Sequence, residues 1–164
     1  MSTRISAKFI AENDSFAVID PVWNSVSIYD GLRKYNEDLS QFSEHQRLLL
    51  GCHWYIAEVN NGGHHQFYSN STGIVWADAL HGFRAVGLPQ VADILEESII
   101  RMGGAPSFDR DERQRTLERL DPSFDDLDKR FYTLDGQLSI EASLTEYMRA
   151  NSRAFELPSP SSDA

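Results

Sequence analysis

Apolar residues recur three and four positions apart along most of this chain, the period of helices that bury one face. Asp20-Pro21 reads as a cap with proline at the first helical position, followed by Val22, Val26 and Tyr29 on one face and a stop at Gly31. Ser43-Glu44-His45-Gln46 has the form of a capping box. The helix it opens carries Leu49, Leu50, His53, Trp54 and Ala57 as one stripe, and Asn61-Gly62-Gly63 is expected to end it. A helical turn over 64–69 and a break at Ser71-Thr72-Gly73 come next. Val75, Ala79 and Phe83, with Trp76 and Leu80, resume the helical period. Gly87-Leu88-Pro89 divides them from Val91, Ile94, Leu95 and Ile99, which run to Gly103-Gly104.

An arginine-rich helix is predicted over 109–120, and another from Asp121-Pro122 with Phe124, Leu127, Phe131 and Leu134 inward. Ile140, Leu144, Tyr147 and Met148 mark the last. Strand is compatible only with 5–18 and 137–140. The fold class expected is all-α, a single compact domain of about eight short helices around one core. Residues 1–12 read as a loosely ordered N-terminal arm, 13–157 as the helical domain and 158–164 as a disordered tail too rich in proline and serine to build a core.

Composition narrows the class. Hydrophobic residues make up 41% of the 164 and aromatics 11%, as in globular chains. No apolar run approaches the roughly 20 residues of a membrane span. The first ten residues lack the apolar core of a signal peptide, and the single cysteine, Cys52, excludes an intramolecular disulfide. A cytoplasmic location is the expectation. Twenty-five acidic residues against 15 basic give a net charge of −10, which repels nucleic acid and attracts basic partners. The excess is uneven: 101–120 hold five arginines against four acids, whereas 51–100 hold five acids and one base.

Catalytic motifs do not emerge. There is no GxSxG, P-loop or dinucleotide fingerprint. Cys52 and His53 are neighbours, but adjacent helical residues diverge by about 100°, so Cys52 reads as a core thiol. Of the histidines His45, His53, His64, His65 and His81, only the 64–65 pair is adjacent, and no zinc-type spacing accompanies it. No enzymatic activity, cofactor or metal is expected. The three tryptophans, with Phe67 and Tyr68, read as core.

The segment Glu58-Val59-Asn60-Asn61-Gly62-Gly63, followed by Gln66-Phe67-Tyr68 and Asn70-Ser71-Thr72-Gly73, resembles the DMP-type bacterial DNA-mimic protein family. Ala77-Asp78-Ala79-Leu80, Val86-Gly87-Leu88, 127–132 and 147–151 are similar to further pieces of its pattern. The likeness covers about 46–155. It implies an acidic, all-helical homodimer whose carboxylates imitate DNA and occupy a helix-turn-helix regulator. It also marks Asn60, Asn61, Gly62, Gly63, Gln66, Phe67, Asn70 and Gly73 as the family loop. The residues themselves suit backbone turns there, with Gln66, Asn70 and the Asn60-Asn61 pair satisfying backbone groups.

The charges needed for mimicry are then sought on helix faces. Duplex DNA carries one charge per roughly 1.7 Å of axis, and carboxylates three or four apart on a helix lie about 5–6 Å from one another. If Phe124, Leu127, Phe131 and Leu134 face inward, then Asp125, Asp126 and Asp128 point outward, with Asp121 at the start. Asp93, Glu96 and Glu97, with Asp78 on the preceding helix, form a second row. The plainer reading is a solvated acidic face. The partner expected is a basic DNA-binding protein, with no direct binding to nucleic acid or membrane. Two other readings are an immunity- or antitoxin-type inhibitor of a nuclease, and a small metal-dependent hydrolase built on His64-His65.

Overall fold

The computed structural model describes residues 4–158, and all of its regular structure is helical. Among these residues nine α-helices follow in order: α1 (Ala7–Glu12), α2 (Ser15–Trp23), α3 (Gly31–Leu39), α4 (Glu44–Ser69), α5 (Trp76–Val86), α6 (Pro89–Arg101), α7 (Arg110–Leu120), α8 (Asp125–Gln137) and α9 (Ile140–Ala150). Two 3-10 turns, Ser71–Val75 and Ser152–Phe155, join them.

The architecture is built around α4, which is 26 residues long and packs against α2, α5, α7 and α8. It starts as expected. The Ser43 side chain accepts the Gln46 N–H, and the Gln46 side chain accepts the Ser43 N–H at 2.8 Å. Its Leu49, Leu50, Cys52, Tyr55, Val59 and Phe67 are buried, whereas Ala57 lies outside the stripe and is exposed. A central helix touched on several sides needs more than one apolar stripe. The α4–α5 crossing is close because a Cβ on Gly82 would stand 2.5 Å from Cys52 Sγ and one on Gly51 would stand 2.9 Å from the Ala79 nitrogen. α6 extends the layer over α5 and meets α8. Val91, Ile94, Leu95 and Ile99 face inward as their spacing predicts.

Several boundaries differ from the sequence reading. Asp20-Pro21 does not open a helix: Asp14 caps α2 by accepting the Ala17 N–H at 2.9 Å, and Pro21 sits inside that helix, two residues before its end. Gly31 starts α3 rather than stopping a helix, and Tyr29 is 76% exposed. Asn61-Gly62-Gly63, by contrast, does interrupt the helix as expected: Gly62 and Gly63 leave helical backbone angles, and two helical segments of α4 meet there at a kink. Asp121 closes α7 in the left-handed conformation (φ 43°), its N–H donating to the Leu117 carbonyl at 2.8 Å, and α8 begins only at Asp125.

Residues 4–12 are not a loose arm. Ile5 and Ile10 are buried, and Ile5 exchanges two backbone hydrogen bonds with Leu157, closing the ends of the domain together. That bridge is the only strand-like pairing among the described residues. The tail predicted over 158–164 lies outside the described residues from 159 onward.

Candidate partner-binding surface

The eight acids singled out as a DNA-like surface have three different fates. Asp128 turns inward. Its Oδ1 accepts the His64 backbone N–H at 2.9 Å and the His64 Nδ1–H at 2.5 Å, and its side chain is 20% exposed. With Nδ1 donating, His64 Nε2 accepts from the Tyr55 hydroxyl at 2.6 Å. Burial pushes the Asp128 carboxyl up, but the side-chain and backbone hydrogen bonds from His64 outweigh it and hold it below the usual carboxylate range. Asp78 is also committed internally. It accepts from Arg47 Nε at 2.9 Å and from the Tyr35 hydroxyl at 2.7 Å, tying α3, α4 and α5 together.

Glu96, Glu97 and Asp126 lie outside but are neutralised. Arg84 meets Glu96 at 2.9 Å. Glu97 accepts from Arg101 and Arg130, each at 2.6 Å, and Arg101 grips both oxygens of Asp126 at 2.5 and 2.8 Å. Hydrogen bonds from Arg130 and Arg101 lower the Glu97 pKa, and those from Arg101 take Asp126 to about 2. This lattice joins α6 to α8 with two cations for two anions. Only Asp93, Asp121 and Asp125 of the original eight are exposed and carry no ion pair among the described residues. The expected continuous ridge is therefore broken by the guanidinium groups of Arg84, Arg101 and Arg130.

The family loop is explained by the same inward turn of Asp128. Gly63 has φ 75° and ψ −174°, a backbone region essentially confined to glycine, and a Cβ there would stand within van der Waals exclusion of Asp128 Oδ2. The kink aims the His64 N–H at that carboxylate. Gln66 and Asn70 do not serve backbone groups as expected: both side chains donate to Glu58 Oε2, at 2.6 and 3.2 Å. Asn60 and Asn61 are exposed, and Phe67 is buried. Gly73 lies against the Arg113 guanidinium, where a Cβ would clash with Nε at 2.4 Å.

His64 is buried with both ring nitrogens engaged, while His65 is exposed, so the pair does not converge on one point. A different polar cluster escaped the sequence reading. Ser15 Oγ donates to Glu141 Oε1 at 2.6 Å and stands 3.0 Å from His53 Nε2. Because the one hydroxyl proton goes to Glu141, Ser15 accepts from His53 rather than being activated by it. Ser15 is fully buried, and burial pushes the His53 imidazole below its ordinary pKa against the opposing pull of Glu141 and Asp14. The cluster is a tie between α2, α4 and α9. No local spacing could have revealed it, since its members are 38 and 126 residues apart.

No helix of the described residues is long and apolar enough to cross a membrane. Among the same residues no three or more His, Cys, Asp or Glu side chains gather as a metal site. A family model described as DMP19-like protein matches residues 40–151, a span that contains the whole asparagine-glycine loop and the 127–132 segment on which the resemblance rested. No curated protein and no solved structure matches the chain.

Proposed function

This chain belongs to the DMP19-like protein family, and on that footing we propose that it is a non-catalytic acidic protein that occupies a basic, DNA-binding partner in competition with DNA. The observation that carries the reading is the family match over 40–151, joined to a net charge of −10. The contacting groups are Asp93, Asp121 and Asp125, which hold no internal cation, rather than the arginine-bound Glu97 and Asp126. Unpaired surface carboxylates act over about 8–10 Å at physiological salt, so they steer association with a basic groove. The paired ones contribute little field because each guanidinium cancels its neighbour.

The test is capture of partners from the native lysate on immobilised protein at low and high salt, followed by elution with duplex DNA. A basic DNA-binding protein should be retained at low salt and released both by salt and by DNA. Retention that ignores salt, or a bound protein that DNA cannot displace, would overturn the reading.

A further inference from the structure

Two depressions adjoin at the carboxyl end of α4, away from the acids discussed above. The larger, of about 420 Å³, lies between the 28–31 loop, the Ser71–Val75 turn and the start of α7. The smaller, of about 160 Å³, shares Ile28, Tyr29, Ser71 and Arg110 with it and has Trp54 on its wall.

Arg113 lies at the base of the larger cleft and is 1% exposed. Its Nε, Nη1 and Nη2 donate to the carbonyls of Tyr68, Ser107 and Asn70 at 3.0, 2.9 and 2.8 Å. A guanidinium has five N–H donors, so two remain, and among the described residues no carboxylate pairs with this buried cation. Burial lowers its pKa to about 10, which still leaves it charged at neutral pH. Arg110, on the wall, uses only Nε, on the Ser69 carbonyl at 3.0 Å.

Acids face the same space. Asp109 accepts the Glu112 N–H through Oδ1 at 2.9 Å and leaves Oδ2 without a partner. Asp111 is exposed and makes no hydrogen bond or ion pair among the described residues. Apart from Ser71 and Gly31, the remaining lining is apolar or aromatic: Ile28, Ile74, the Phe108 ring and the protruding Tyr29.

A simple anion in this cleft would be attracted by the arginines and repelled by the aspartates, and a simple cation would meet the reverse. The lining is complementary to a ligand carrying both charges a short distance apart beside an apolar body. We propose that the cleft binds a free α-amino acid with an apolar or aromatic side chain, its carboxylate on Arg113 and Arg110, its ammonium on Asp109 and Asp111, and its side chain against Tyr29, Phe108 and Ile74. The volume falls within the roughly 300–1,000 Å³ range of small-molecule sites. Capping of α4 at Tyr68 and Asn70, with the tie to the Ser107 carbonyl, explains three donors of Arg113. It does not explain the unpartnered groups of both signs gathered around it.

The test is titration of L-phenylalanine into the full chain, followed by calorimetry and by tryptophan fluorescence, for which Trp54 and the Phe108-stacked Trp76 are reporters. Phenylacetate and phenethylamine, each lacking one charge, serve as parallel ligands. Saturable binding of phenylalanine is expected, with each parallel ligand weaker by roughly tenfold or more for the loss of one charged contact. Arg110→Gln and Asp111→Asn should each weaken phenylalanine binding by about tenfold, with the thermal midpoint nearly unchanged in Asp111→Asn and slightly lowered in Arg110→Gln, which loses the bond to the Ser69 carbonyl. Absence of saturation up to about 10 mM, equal binding of the three ligands, or unaltered binding by both variants would each overturn the proposal.

Discussion

Gly63 carries two constraints at once: a backbone conformation that disfavours side chains, and contact with a carboxylate that receives two hydrogen bonds from His64. Gly63→Ala must either relax the kink or displace Asp128. The expected loss is on the order of 3 kcal/mol, read as a lower urea midpoint with an unchanged slope. Asp128→Asn tests the carboxylate separately. The folded pKa of Asp128 lies below its ordinary 3.8, so its contribution is complete above that value and is lost as pH falls through the folded pKa. The wild-type urea midpoint should drop more steeply below pH 3.8 than that of the asparagine variant, which has no proton to take up there. Parallel acid limbs would remove Asp128 as a source of that dependence.

At the scale of elements, helix ends are held by two kinds of group, and only one kind could be read from the sequence. The Ser43 box is local, four residues long, and was legible for that reason. Ser43 also donates to the Ala154 carbonyl at 2.7 Å, so Ser43→Ala should cost about 1 kcal/mol for the cap and more for the lost tie to the carboxyl-terminal turn. The other end of α4 is finished by α7: Arg113 takes the carbonyls of Tyr68 and Asn70, while Arg110 and Gln114 take that of Ser69. Arg113→Met should destabilise the fold by on the order of 3 kcal/mol or more, because buried carbonyls lose their donors together, with guanidinium denaturation as the measurement.

The sequence showed that 109–120 is an arginine-rich helix, but not that one arginine is core. Two of its three acceptors lie 43 and 45 residues away, beyond any periodicity. Asp20-Pro21 was misleading for the opposite reason. A cap-like dipeptide was present, yet Asp14 caps the helix just ahead of the apolar stretch Phe16 to Ile19, so Pro21 falls in its last turn, where it lacks the N–H that would donate to the Ala17 carbonyl.

Over the whole molecule, a net charge of −10 gives the excess of carboxylates over cations but not which carboxylates stand unpaired. Asp125 and Asp126 are equivalent by helix face, since both point away from Leu127 and Phe131. Their difference arises from Arg101, which reaches across from α6 and binds Asp126 alone. A paired reversal of charge separates the two roles. Asp125→Lys with Asp121→Lys changes an unpaired corner between α7 and α8. It should slow association with a basic partner by about tenfold or more at low salt and less at high salt, with a modest fall in the unfolding midpoint because Asp121 holds the left-handed end of α7 and Asp125 lies in the first turn of α8. Asp126→Lys instead sets a cation against Arg101 and removes its bidentate partner. It should lower the unfolding midpoint and slow association less than the double variant does, since the wild-type pair presents almost no net charge. Stopped-flow association rates at two salt concentrations, read beside thermal unfolding of each variant, distinguish the outcomes. If Asp126→Lys slowed association as much as the double reversal while leaving stability intact, the arginine-bound face would be the one that meets the partner.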